Sequence, residues 1–393
     1  MTLVAVEPPQ TRTRPGQTWF FLATALVAVQ PSSPTGKGAV LALSDVFLAV
    51  AILANVRGLP RCPRAMRVPM ALMAGALIVG WFHTAAFGEF STLTWATTRL
   101  GGFFILAAYL FFAYFYGNDR EFVRTSLRAF VYTTTVVNVL LLESLPTHAL
   151  MASFLPVKFQ SRLSGGLYDP NANGAALACC FLLVVFGGSL VSRRVLVRGV
   201  LSIVLAYCLL ETFSRGALVD VGAAVLFIAL ISLRRRPSII LGAAFLGVAV
   251  FALFDAAGVI ATVSQNLSER PSSSLDNRFF YVEDALRAFY HDPFFGTGLG
   301  SATHRNGAVV HFSFFWLLGD VGIVGALGFA GFAVVNIMTA MRLTISRLQL
   351  GIAGALIAEL VASFSCESMY QRHWWILLGF GLAVLDQSKR GRE

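Results

Sequence analysis

The sequence predicts an all-α, polytopic integral membrane protein with about twelve transmembrane helices. Three observations predict it. Of 393 residues, 56% are hydrophobic and only 13% charged, where soluble domains carry about a quarter charged residues. Mean hydropathy is +0.72. Apolar runs near bilayer-crossing length recur along the whole chain, and alternate connections between them are rich in arginine, as cytoplasmic loops are.

The first run, roughly 18–30, is short and follows Arg12 and Arg14, in the manner of a secretory signal. No small-residue cleavage site stands out after it and the charge map needs it, so it reads as a spanning helix. Run 38–55 returns to a segment with Arg57, Arg61, Arg64 and Arg67. Runs 68–87 and 98–116 then lead to Arg120, Arg124 and Arg128. Runs 124–144 and 172–190 lead to Arg193, Arg194 and Arg198, and runs 195–212 and 214–233 to Arg234, Arg235 and Arg236. Runs 239–258 and 311–340 end at Arg342 and Arg347, and runs 349–367 and 372–386 at Lys389, Arg390 and Arg392. Every second connection is therefore basic, which sets both termini in the cytoplasm. The net charge of +10 reports orientation and contact with anionic lipid, and no nucleic-acid partner is expected.

The remaining basic residues fall on the other side, where topology does not require them: Lys37, Arg99, Lys158, Arg162, Arg215, Arg270, Arg278, Arg287, Arg305 and Arg372. All six histidines, His83, His148, His291, His304, His311 and His373, fall there too. Arginine and histidine on one face suit proton transfer beside an anionic ligand. Cys62, Cys179, Cys180, Cys208 and Cys366 show neither a disulfide framework nor a zinc spacing and read as small core residues. Tyr281, Tyr290, Trp316, Trp374 and Trp375 read as interface anchors that also suit stacking on a sugar.

Residues 1–393 read as a single membrane domain without internal repeats, with two long outer connections, 145–171 and 261–310. In the longer one, Arg278 to Tyr290 reads as an amphipathic helix on the outer surface. Phe279, Val282, Ala285, Leu286 and Phe289 share one side, Glu283 and Arg287 pair across a turn, Asp276 or Asn277 caps the start, and Pro293 stops it. A glycine-rich turn, Gly296-Thr297-Gly298-Leu299-Gly300, follows. Asp169, Asn171 and Asn173 suit capping of the run that begins near Ala172.

Four local patterns then occur in order. They are Arg162-x-x-Gly165 followed by Asp169-Pro170-Asn171; Ser214-Arg215-Gly216 opening a span; Arg278 opening a helix that ends at Pro293 and Gly296-x-Gly298; and His311 followed by Gly322-x-x-Gly325. On these residues the chain resembles the O-antigen ligase and polymerase superfamily over about 160–330. It departs from the family pattern in having Phe312, not a polar residue, directly after His311.

The resemblance implies an enzyme of the bacterial inner membrane. Its donor is an oligo- or polysaccharide on a polyprenyl diphosphate, its acceptor a hydroxyl on a lipid A core or a second glycan, and its active face periplasmic. The leaving diphosphate must be stabilised and the acceptor proton removed. Arg215 and Arg278 suit the first task and His311 the second, with Arg162, Asn171, Arg305 and His304 as further contacts to diphosphate or glycan. His304 stays open as an alternative base. No Asp-x-Asp is present, so transfer without a metal is expected, with no cofactor and with inversion at the anomeric carbon. Ligase and polymerase chemistry both remain open. A transporter or flippase is the competing class: Gly319, Gly322 and Gly325 suit a broken helix, but only Asp45 and Asp220 read as acidic residues well inside spans, and Asp220 is expected to pair with a basic neighbour.

Overall fold

The computed structural model describes residues 14–29, 42–142, 147, 158–159, 162–167, 169–232, 265, 273–302, 312–343 and 346–390. Within them lie twelve α-helices: α1 Gln17–Ala25, α2 Leu43–Ala54, α3 Arg67–Phe87, α4 Phe90–Tyr116, α5 Arg120–Leu140, α6 Pro170–Phe186, α7 Val195–Glu211, α8 Arg215–Ser232, α9 Ser273–His291, α10 Ser313–Arg342, α11 Arg347–Ala362 and α12 Arg372–Arg390. A two-residue hairpin, β1 Lys158–Phe159 paired antiparallel with β2 Arg162–Leu163, precedes α6. The chain is an all-α protein of membrane character.

Each apolar run predicted within the described residues is occupied by a helix, and run 239–258 lies outside them. Length is a different matter. Four helical stretches, 64–87, 91–116, 215–232 and 313–342, are long and apolar enough to cross a bilayer unaided. The nine residues of α1 rise only about 14 Å, less than half of the hydrocarbon core's ~30 Å.

Small residues let the long helices touch. Gly325 and Gly328 of α10 face Ala76 and Met73 of α3, and Gly379 of α12 lies against Leu110 and Ala113 of α4. In lipid, where tails are as apolar as leucine, such close packing supplies much of the helix–helix attraction. Aromatic rings fill the centre: Phe332 meets Trp374 edge-on at 4.9 Å and Trp375 at 4.9 Å. Trp316, Trp374 and Trp375 are all 0% exposed. These three are core residues and not interface anchors: Asn336 Oδ1 accepts from Trp374 Nε1 at 2.9 Å and Met369 O from Trp375 Nε1 at 2.7 Å, which satisfies those two polar tips away from water, while Trp316 is held by ring contact with Tyr370 and Arg99.

Two buried ion pairs tie distant helices. Arg372 grips Asp45 through both ends of its fork (Nε to Oδ1 2.7 Å, Nη2 to Oδ2 2.6 Å), and the Tyr109 hydroxyl donates to Oδ1 at 3.1 Å. Arg99 pairs with Glu367, and its guanidinium lies over the rings of Trp95, Trp316 and Tyr370. Two of the cations assigned by sequence to an outer, ligand-facing role are thus consumed inside the bundle.

One pole of the bundle gathers the start of α3 with the ends of α4, α10 and α12, around Arg61, Arg64, Arg67, Arg342 and Lys389. The opposite pole gathers the end of α3, the start of α4 and the glycine-rich turn, around His83, Thr84, Thr92, Thr297 and Ser301.

Candidate functional site

The connection between α7 and α8 is a tight corner. Phe213 takes φ 47°, a left-handed conformation that a bulky side chain rarely adopts, directly before Ser214-Arg215-Gly216. Such backbone is held only where its surroundings over-determine it. Arg162 supplies that hold from the hairpin: its Nε donates to Thr212 O at 2.8 Å and its Nη2 to Asn171 Oδ1 at 2.9 Å. The Ser214 hydroxyl donates to the same Asn171 oxygen at 3.1 Å and accepts from Ala217 N at 3.3 Å, which caps α8.

The start of α6 stands beside the start of α8. Asp169 caps α6 by accepting from Asn171 N at 2.6 Å, with Pro170 in the first turn. Gly174 permits the approach: a methyl there would lie 2.7 Å from the Ala217 side chain and 3.3 Å from that of Ser214. Two helix N-termini therefore open on one spot, and each carries about half a positive charge. Arg215 opens α8 at this mouth, and its side chain is exposed. Helix amides plus a guanidinium make a receptor for an anion with oxygen atoms.

The α11–α12 connection closes a further side. Gly216 abuts Ser365, where a methyl would lie 2.5 Å from Oγ, and Ser313 at the head of α10 donates its N–H to Ser363 O at 3.1 Å. Glu367 follows, paired with Arg99.

The glycine-rich turn has a different task. Inside α10, Gly322 takes φ 69°, ψ −164° and breaks the helix. The backbone groups released are taken up by the turn: Thr297 N donates to Gly319 O at 3.1 Å, Gly298 N to Asp320 O at 3.0 Å, and Ile323 N to Pro293 O at 2.9 Å. The fully buried Asp320 carboxylate accepts from Gly300 N at 2.7 Å, Ala302 N at 3.0 Å and Ser301 Oγ at 3.2 Å. Methyls at Gly296 and Gly322 would each lie 2.4 Å from backbone carbon of the opposing segment. Gly296-x-Gly298 and Gly322 are a backbone-to-backbone joint, the tight-turn reading of that motif.

Helix α9 leads into this joint. It begins at Ser273, so Asp276 and Asn277 lie inside its first turns and not at its cap, and it ends at His291, short of Pro293. Glu283 and Arg287 pair at 2.6 Å. Its buried side is narrower than the apolar pattern implied: Ala285 packs on Gly319, whereas Phe279 is 69% exposed.

Of the site residues read from sequence, Arg162 and Asn171 come together at the mouth, and Arg215 is joined to them through the backbone, as the neighbour of Ser214, whose hydroxyl bonds Asn171. Arg278 lies on α9, its side chain outside the described residues, and His304, Arg305 and His311 lie outside them as well. Asn173 is not a cap: its Nδ2 donates to Asn138 Oδ1 at 2.7 Å and Leu163 O at 3.2 Å, which fastens the hairpin to α5 and α6. Asp220 has no basic partner among the described residues. It is buried with Oδ1 unpaired, in the field of the Glu359 carboxylate.

Sequence reasoning missed Asp320, Glu359 and Glu367. The first two are fully buried within α10 and α11, so Asp45 and Asp220 are not the only acidic groups inside spans. Glu359 gathers two other groups: its Oε1 meets His373 Nε2 at 2.7 Å and Cys179 Sγ at 3.1 Å. Cys179, Glu359 and His373 form the set of donors among the described residues that could hold a metal, their donor atoms all within 4.8 Å of one another. His373 is 2% exposed and stacks on Phe130, an interior residue and not an outer one.

The described fold is helical, with four stretches long and apolar enough to cross a membrane, and it sets the starts of α6 and α8 side by side, with Arg162 bonded to Asn171 and Arg215 opening α8. Residues 200–330 match the family model described as O-antigen ligase, which bears out the resemblance to the O-antigen ligase and polymerase superfamily. The match contains Ser214-Arg215-Gly216, Arg278, His304, Arg305 and His311, and stops short of Arg162 and Asn171. No curated protein matches the chain. The family match supports a membrane-embedded glycan ligase- or polymerase-type activity on lipid-linked glycans.

Proposed function

We propose that the protein transfers an oligo- or polysaccharide from a polyprenyl diphosphate to an acceptor hydroxyl at the periplasmic face of the bacterial inner membrane, in the manner of an O-antigen ligase. In this reading the chain spans about twelve times with both termini cytoplasmic, and the acceptor belongs to a lipid A core. The observation that carries it is the convergence of the α6 and α8 starts beside Arg215.

The reaction is one displacement. The acceptor oxygen bonds to the anomeric carbon, the bond from that carbon to the diphosphate oxygen breaks, and configuration inverts. The electron pair leaves on the diphosphate, where Arg215, Arg278 and the helix amides meet the growing charge. The hydroxyl proton passes to the His311 imidazole, a general-base role worth about 10²–10⁴-fold in rate. Arg162 and Asn171 hold the shape of the corner that presents Arg215, and His304 and Arg305 contact glycan or diphosphate. No metal and no cofactor enters the scheme.

Reconstitution with a polyprenyl-diphosphate oligosaccharide and a lipid A core acceptor tests this. Transfer is expected from the wild type, unaffected by EDTA, and lost in Arg215→Ala and His311→Ala. Full transfer by either variant, or EDTA inhibition reversed by magnesium, would overturn the assignment. Extension of a second polyprenyl-linked glycan with the lipid A core left untouched would make the protein a polymerase.

A further inference from the structure

A hollow lies at the pole opposite the glycan mouth. It has a volume of about 760 Å³ and opens between the start of α3 and the ends of α4, α10 and α12. Five cations border it: Arg61, Arg64, Arg67, Arg342 and Lys389. One acid, Asp386, is among its lining residues, and that carboxylate is already engaged, accepting from the Tyr114 hydroxyl at 2.6 Å and facing Lys389 Nζ at 3.7 Å. Arg61, Arg64, Arg67 and Arg342 are exposed and have no acidic partner among the described residues.

The walls between those charges are apolar: Val334, Val335 and Met338 from α10, Leu382 and Leu385 from α12. Four guanidiniums facing one cavity repel one another until an anion enters. Their planar forks suit phosphate oxygens. A free anion gains nothing from valine, methionine and leucine walls, whereas an acyl chain does. Both requirements are met by one molecule with a phosphate at one end and hydrocarbon at the other.

We propose that this hollow is a binding site for an anionic glycerophospholipid of the leaflet at the arginine-rich pole. Basic pockets between helices recognise such headgroups with side-chain forks while the chains lie along the bundle. The positive-inside bias explains why arginines occur at this pole, but not why four of them ring one cavity with apolar walls. The site does not depend on the transfer reaction, since it involves none of the residues at the opposite mouth.

The test uses the full chain purified in detergent and native mass spectrometry of lipid retention. Phosphatidylglycerol, phosphatidylcholine, glycerol 3-phosphate and inorganic phosphate are the probes. Phosphatidylglycerol should be retained at least about tenfold more tightly than phosphatidylcholine, and the two water-soluble phosphates should not displace it at equal concentration. Each arginine near an anionic lipid contributes roughly fivefold, so Arg61→Gln/Arg64→Gln/Arg342→Gln should lower retention about a hundredfold. Arg342→Gln alone should lower it about fivefold, a readout that survives if the triple variant does not fold. Arg120→Gln/Arg193→Gln/Arg194→Gln, which removes as much charge from exposed sites outside the hollow, should leave retention unchanged. Equal loss in both triple variants, equal retention of phosphatidylcholine, or displacement by inorganic phosphate would each overturn the assignment.

Discussion

Replacing Asp320 with alanine should release the joint between the glycine-rich turn and the broken helix α10. The carboxylate is 0% exposed and accepts two backbone N–H groups, from Gly300 at 2.7 Å and Ala302 at 3.0 Å. Hydrogen bonds to a charged acceptor are worth about 1.5–3 kcal/mol each, so two orphaned buried donors cost about 3–6 kcal/mol. The Ser301 hydroxyl adds little, because Thr297 Oγ1 lies 2.6 Å away as another partner. Removing the buried charge returns part of that cost, which sets the expected net loss near the lower end, about 3 kcal/mol. Asp320→Asn keeps one acceptor oxygen and should lose about half as much. Unfolding in detergent micelles reads the magnitude, and hydrogen–deuterium exchange reads the place. Exchange should rise first at residues 297–302 and at Ile323, whose amides the joint holds. Unchanged exchange at those amides in Asp320→Ala would refute the reasoning, whatever the global stability.

Three further outcomes follow from the packing. Asp45→Asn and Arg372→Leu should each cost about 3–5 kcal/mol by stranding a buried partner, while the double variant should cost less than their sum, a coupling that a double-mutant cycle in micelles measures. Gly322→Ala should cost at least about 2 kcal/mol, since its φ of 69° and a methyl 2.4 Å from the Phe294 backbone both oppose it, and thermal unfolding should register the loss. In Arg162→Lys one ammonium cannot bridge Thr212 O and Asn171 Oδ1 together, so transfer should fall about tenfold or more with stability changed by less than about 1.5 kcal/mol.

Where interactions are local, the sequence was readable. Apolar run length placed the helices, Asp169-Pro170 marked the start of α6, and the four-residue spacing of Glu283 and Arg287 announced their pair. What stayed hidden was non-local. Arg99 and Arg372 looked like spare outer cations because their partners, Glu367 and Asp45, lie 268 and 327 residues away. Asp320 and Glu359 sat within apolar runs, where one carboxylate barely alters mean hydropathy, and their roles depend on the turn at 297–302 and on His373. The tryptophans carried an interface signature that packing overrode. At the mouth, Ser214-Arg215-Gly216 was legible as a helix start with an arginine. The second start beside it, and the hold of Arg162 on the corner, needed three dimensions.

The most direct test is a structure of the protein with a non-hydrolysable polyprenyl diphosphate donor analogue. The account predicts diphosphate oxygens within about 3 Å of the Arg215 guanidinium and of the first amides of α8, at the junction with the start of α6. A diphosphate held elsewhere, with the α6–α8 junction empty, would contradict it.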